Sequence, residues 1–277
     1  MLEGKSNISL LIIFVYTINL ASIRNIINYL YMKIVHISDT HGKHNNVVIP
    51  ICDLLIHTGD VGNRTTNLEL ADFLYWFYNQ PSKYKIFCAG NHDICLDESY
   101  LKKEKVLNNP FLKISSYEQY QEAEQLIKTY CQDIIYLENS GCIIEGLKIW
   151  GSPYSPSFHK EHWVFNADKG KEINSIWKKI PKDTNILLTH TPPYDILDSF
   201  YQNNNQETIK LGCKDLYKTI EKSLLHLKLH CFGHIHENTS IIAYNFKGDR
   251  SCLFSNGAVL NNQYIVNSSR PSVIDLL

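Results

Sequence analysis

Aspartate, asparagine and histidine recur along this chain at the ends of apolar runs. KIVHIS is followed by Asp39 and His41, and LLIHTG by Asp60. KIFCAG is followed by Asn91, His92 and Asp93, ILLT by His190, and HCFG by His234 and His236. A single histidine in such a place is most simply a hydrogen-bonded structural residue. Five successive endings that offer only oxygen and imidazole donors need a shared partner, because carboxylates and imidazoles gathered at one rim are costly to desolvate unpaired. Divalent cations are the obvious partner, and an O/N donor set without thiolate suits manganese, iron or zinc. Asp39, His41, Asp60, Asn91, His190, His234 and His236 make seven candidates, too many for one ion. A pair of ions about 3.5–4 Å apart needs a bridging carboxylate and roughly three further ligands each. Asp60 is the natural bridge, since Gly59 before it allows a tight turn, and Gly90 and Gly233 permit similarly close backbone approach.

The elements that must position these residues follow from hydropathy. The runs before them are continuously apolar, as expected of strands buried on both faces. Helical spacing appears at 66–79, where Pro81 stops it, and at 117–130, 168–179 and 213–228. Residues 141–150 read as a hairpin with a Glu-Gly turn, and IIAYNF, SCLFSN and PSVIDLL as later strands. This order predicts an α/β domain with two sheets. In open α/β sheets, ligands bind beyond the carboxyl ends of the strands, which is where the candidates lie.

Composition sets the outer bounds. The formal net charge is −1 over 277 residues, so no global field draws nucleic acid or an anionic membrane. The eight cysteines include no CxxC pair and read as reduced, mostly buried thiols of a cytoplasmic protein. Residues 1–31 form an apolar extension with a core at 8–23, either signal-like or upstream of a start at Met32, and residues 32–277 the domain proper. No stable membrane span is expected unless that segment is retained. QNNNQ at 202–206 is a polar loop.

In the order DTH, GD, GNHD, TH and GHIH, the chain from Lys33 onward resembles the calcineurin-like metallophosphoesterase superfamily. LLIHTGD, THTPPYDILD, CFGHIHE and SSRPSVIDLL resemble its metallophosphoesterase-domain branch, related to class III cyclic-nucleotide phosphodiesterases. The resemblance implies a two-sheet β-sandwich flanked by helices, a four-layer α/β/β/α fold. It implies Asp39, His41, Asp60 and His236 around one ion and Asp60, Asn91, His190 and His234 around the other, with His92 beside the substrate. Some members of that branch have lost a ligand; this chain keeps both histidines of GHIH. The expected activity is hydrolysis of a small phosphoester, with a phosphodiester such as a cyclic nucleotide favoured. Water made nucleophilic between the two ions attacks, and His92 serves as general acid. The alternatives are a phosphomonoesterase on the same site, a non-catalytic metal-binding scaffold, and a secreted or anchored hydrolase that would use residues 8–23.

Three further residues are candidates for contacting substrate. Asn63 stands where the superfamily's protein phosphatases place an aspartate that orients the catalytic histidine, and Arg64 where they place a phosphate-binding arginine. His44 could reach substrate from the first loop. Asp93 reads at least as readily as an acceptor for turn amides as a catalytic group. His36 and His57, inside strands, are expected to make core hydrogen bonds. His159, His162, His226 and His230 lack a partner at ligand spacing. The loops near 42–47, 152–166 and 193–207 are expected to choose the substrate.

Overall fold

The computed structural model describes residues 31–102, 117–158, 163–201, 208–266 and 271–277. Residues 1–30, with the apolar core at 8–23, lie outside that set, as do QNNNQ, His159 and His162. Among the described residues, no helix is long and apolar enough to cross a membrane.

The apolar runs become strands as their hydropathy predicts. In chain order they are β1 (Met32–Ile37), β2 (Cys52–His57), β3 (Ser82–Phe87), β4 (Ile135–Tyr136), β5 (Ser140–Ile144), β6 (Leu147–Ser152), β7 (Ser155–Pro156), β8 (Asn166–Ala167), β9 (Ile186–Thr189), β10 (Ser199–Tyr201), β11 (Thr208–Lys210), β12 (Leu229–Phe232), β13 (Ser240–Asn245), β14 (Ser251–Asn256) and β15 (Ser272–Leu276). One large sheet has the order β15-β1-β2-β3-β4 and the other β13-β14-β12-β9-β6-β5, with β7-β8 and β10-β11 as two-stranded pairs. β1, β2, β3 and β4 run parallel, and so do β6, β9, β12 and β14.

Alternation along each strand sorts its side chains between two cores. Ile34, Leu54, Ile56 and Ile86 pack with Ile149, Ile186, Leu188, Leu229 and Cys231 between the sheets. Val35, Ile37, Leu55 and Phe87 turn outward onto Leu70, Phe73, Leu74 and Phe77 of the helix Asn67–Tyr78. Leu187, Phe232 and Phe254 of the second sheet pack on the helices Lys171–Trp177 and Lys214–Ser223. The result is the expected four layers.

The helix Asn67–Tyr78 starts at a capping box, in which Thr66 Oγ1 accepts from Glu69 N at 3.2 Å and Thr66 N donates to Glu69 Oε2 at 2.8 Å. A second helix packs nearby over Tyr117–Tyr130, as its spacing predicts. Two predicted helices come out shorter. Lys171–Trp177 replaces 168–179, and Lys214–Ser223 replaces 213–228. In the latter, Leu224 leaves helical geometry (φ −98°, ψ 64°) so that the chain can turn into β12. The hairpin turns at Glu145 and Gly146, both at positive φ (47° and 82°), the geometry expected of a two-residue β-hairpin.

Candidate metal centre

All seven candidate ligands come together at the carboxyl ends of β1, β2, β3, β9 and β12. Three overlapping clusters form: Asp39, His41 and His236; His41, Asp60 and His92; and Asp60, His190 and His234, with the donor atoms of each within 4.8 Å of one another. Asp60 Oδ2 stands 3.7 Å from His41 Nε2, 3.3 Å from His190 Nε2 and 3.8 Å from His92 Nε2. Asn91 Oδ1 lies 2.9 Å from His190 Nε2, and Asp39 Oδ1 lies 3.3 Å from His236 Nε2.

Backbone geometry aims these groups. Asp39, His41, Asp60 and His234 all take positive φ (53°, 42°, 58° and 69°), a conformation uncommon for non-glycine residues and concentrated at functional sites. The strained turns are pinned by main-chain bonds from Asp39 N to Gly59 O (2.9 Å) and from His41 N to Asp60 O (3.0 Å). Gly59 has φ +104°, and a Cβ there would sit 2.6 Å from His190 Nδ1. A Cβ on Gly90 or Gly233 would collide with the Asp60 or Asp39 carboxylate, the close approach expected of these positions.

Asp93 clips two of the loops together. Its carboxylate accepts from Asp60 N (2.9 Å), Val61 N (3.0 Å), Gly90 N (2.7 Å) and Thr65 Oγ1 (2.5 Å). This is the amide-acceptor role rather than the catalytic one.

Three imidazoles are oriented by carbonyls. His41 Nδ1 faces Gly62 O (3.2 Å), His190 Nδ1 faces Thr58 O (2.9 Å) and His236 Nδ1 faces Asn261 O (3.1 Å). A carbonyl only accepts, so each Nδ1 carries the proton and each Nε2 is directed at the carboxylates, the outer-shell pattern of metal-binding histidines. Burial acts to raise the pKa of both carboxyls. For Asp39 the His236 imidazole outweighs burial, and for Asp60 chiefly His190, holding both well below the usual carboxylate range. Burial likewise acts to lower His190 and His236, but Asp60 and Asp39 lift them to about 9. Burial prevails at His41 and His234, which fall to about 4 and about 3. His41 Nε2 is buried without a hydrogen-bond partner. Convergent carboxylate, amide and imidazole donors, one of them an orphaned buried nitrogen, fit divalent cations and could hold two.

The tentative substrate residues fare differently. Asn63 is exposed and is not the partner of His92, whose Nδ1 is buried without one. The chain turns through Arg64 at φ 98°, which takes Asn63 out of the site. Arg64 lies over the Trp163 ring at 5.6 Å and does not line the cleft. His44 is buried against Phe73 and Trp76 and reaches Asp72 at 3.0 Å, so it serves the helix rather than the cleft.

The cleft in front of the cluster has a volume of about 480 Å³. Phe158, Trp163, Phe200 and Tyr264 give it aromatic walls, and Lys169 is its one lysine or arginine among the described residues. Trp163 packs on His92 with ring centroids 4.1 Å apart, and Tyr264 on His41 at 4.8 Å. Neither stood out in the sequence, because no spacing relates them to the strand ends.

The family model for calcineurin-like phosphoesterases matches residues 32–238. Metallophosphoesterase domain-containing protein 1 of Homo sapiens is 33% identical over 250 residues, covering 89% of this chain and 71% of that protein. A UPF0046 protein of Caenorhabditis elegans is 33% identical over 218 residues, covering 77% and 66%. The crystal structure of TT1561 of Thermus thermophilus superposes with a TM-score of 0.51 at 11% identity, over 88% of this chain and 99% of that one.

Proposed function

The chain belongs to the calcineurin-like phosphoesterase family, and on that premise we propose that it hydrolyses phosphodiesters, cyclic nucleotides among them, with Asp39, His41, Asp60, Asn91, His190, His234 and His236 holding two divalent cations and His92 acting as general acid. The observation that carries the diester reading is the cleft itself. Its volume of about 480 Å³ suits a small organic ligand. Its walls offer flat apolar rings, and outside the proposed metal centre the carboxylate and ammonium side chains among the described residues are Glu237 and Lys169. A monoester brings one organic substituent and leaves much of that wall uncovered. A diester carries two organic substituents, which the rings of Phe158, Phe200 and Tyr264 can cover while Trp163 is engaged with His92.

Bound cations supply Lewis acidity, making water nucleophilic at neutral pH and offsetting charge on phosphoryl oxygens. The residues of the chain do the rest. Asp60 takes two histidines from the first sheet's loops and one from the second sheet on one carboxylate oxygen, so it joins the halves of the site. His92 is anchored by its own N–H on Asp60 Oδ1 at 2.8 Å, which leaves the ring at the cleft. Burial lowers its pKa, and the negative charge of a bound phosphate works the other way. A proton held there is placed for transfer to the departing alkoxide.

The test is a comparison of bis(p-nitrophenyl) phosphate with p-nitrophenyl phosphate under manganese, zinc and iron. A higher kcat/KM on the diester supports the reading; a preference for the monoester, or turnover that survives exhaustive chelation, rejects it.

A further inference from the structure

Catalytic histidines are ordinarily held by a hydrogen bond on the ring nitrogen remote from the substrate, and His92 has no such partner among the described residues. Its Nδ1 is buried without a partner. Asn63, the residue placed by spacing to supply that bond, is exposed. Something else must fix the ring plane. The Trp163 indole packs on it with centroids 4.1 Å apart and planes 38° apart.

The segment carrying Trp163 is not a passing loop. Val164 N donates to Asn91 O at 3.2 Å, so the segment is bonded to the residue next to His92. Phe165 N donates to the buried Asp97 Oδ2 at 2.8 Å. On the indole lies the Arg64 guanidinium at 5.6 Å, and the residue after it, Thr65, donates its N–H to His92 O at 2.8 Å. Imidazole, indole and guanidinium therefore sit on backbones that are bonded to one another. Aromatic contact and cation–π attraction hold the rings where a hydrogen bond is lacking.

We infer that Trp163 is the positioning residue for His92, fixing the imidazole plane by tilted ring packing in place of a carboxylate, with Arg64 backing the indole. The inference rests on the acid role proposed above. A proton donor held loosely costs most where the leaving group most needs the proton, so the effect should depend on substrate and not on affinity.

The test uses the metal-loaded full chain and two diesters, bis(p-nitrophenyl) phosphate and diphenyl phosphate, whose phenolate leaves less readily. Trp163→Ala should lower kcat on diphenyl phosphate by about 10–100-fold, the scale of a mispositioned catalytic group, while kcat on the activated diester and KM on both move less than about threefold. Metal content and melting temperature should hold, and Trp163→Phe, which keeps a flat ring, should recover most of the loss. If Trp163→Ala melts early or loses metal, Trp163→Leu keeps bulk without a ring face and reads the same ratio. Equal loss on both diesters overturns the inference, and so does a rise in KM alone, which would make Trp163 a substrate wall. His92→Ala separates the two claims. If it discriminates between the diesters and the Trp163 variants do not, only the positioning role falls. If His92→Ala does not discriminate, the acid role falls and takes this inference with it.

Discussion

Two groups of histidines in this protein share burial but not behaviour. His36, His57 and His230 lie inside strands and meet hydroxyls. His36 spans the two sheets between Ser255 Oγ (2.8 Å) and Thr58 Oγ1 (3.0 Å), His57 reaches Thr40 Oγ1 (3.0 Å) and His230 reaches Thr189 Oγ1 (2.8 Å). Burial drives all three down to about 3, so they are neutral polar core residues. Just beyond the ends of β9 and β12, His190 and His236 meet carboxylates and are lifted to about 9. Residue type and burial are alike; the partner differs. A hydroxyl takes one nitrogen of an imidazole within the core and leaves it neutral, whereas a carboxylate at the rim makes a charged cluster suited to a cation.

The largest blow to this contrast is to remove the rim's shared charge. Asp60→Asn should weaken metal binding by more than the ~10–100-fold that loss of an outer-shell partner costs, as seen by metal analysis after dialysis, with turnover lost in step. Retention of both ions would erase the distinction between the groups.

The interior group should answer in stability instead. His36→Ala strands the Ser255 and Thr58 hydroxyls and opens a cavity between the sheets. Chemical denaturation should show a loss of about 2–4 kcal/mol, with metal stoichiometry unchanged in the folded protein.

A finer probe is pH. The folded-state pKa of His230, about 3, lies below its unfolded value, so the unfolded chain takes up the proton first as pH falls. Its contribution to stability is intact above about pH 6.5 and is lost progressively toward pH 3, at up to ~1.4 kcal/mol per pH unit for one proton. His230→Phe should flatten the stability profile between pH 6 and 4 by up to that amount; an unchanged slope would mean that the imidazole is already charged in the core.

The smallest effect belongs to Asn63→Ala. The exposed amide touches nothing at the site, so turnover on either diester should change by less than about twofold, as for most surface substitutions. A drop comparable to that of His92→Ala would return Asn63 to the histidine.

What the sequence disclosed follows the same division. Strand interiors and strand ends were legible because parallel strands buried on both faces are continuously apolar, so the first Asp, Asn or His after each run marks the sheet edge. The placing of Asp39, Asp60 and His190 needed nothing more. His36 and His57 could be set apart from the rim because they fall before the run ends. The misses lie where the chain turns. Asn63 was placed by counting three residues from Asp60, but the count assumes a loop course that the positive φ of Arg64 changes. His44 was read from its distance along the chain to His41. The short 3₁₀ turn His44–Asn46 instead faces it to the helix Asn67–Tyr78. Trp163 comes to His92 from 71 positions away through a main-chain bond between Val164 and Asn91, and a backbone amide leaves no mark on residue identity.

That last point reaches further at the carbonyls of Gly62, Thr58 and Asn261. Because peptide oxygens, not neighbouring side chains, dictate which nitrogen of His41, His190 and His236 looks inward, every amino acid supplies the needed acceptor equally well. The acceptor role by itself sets no residue type at these positions, and the tautomers come with the chain trace itself.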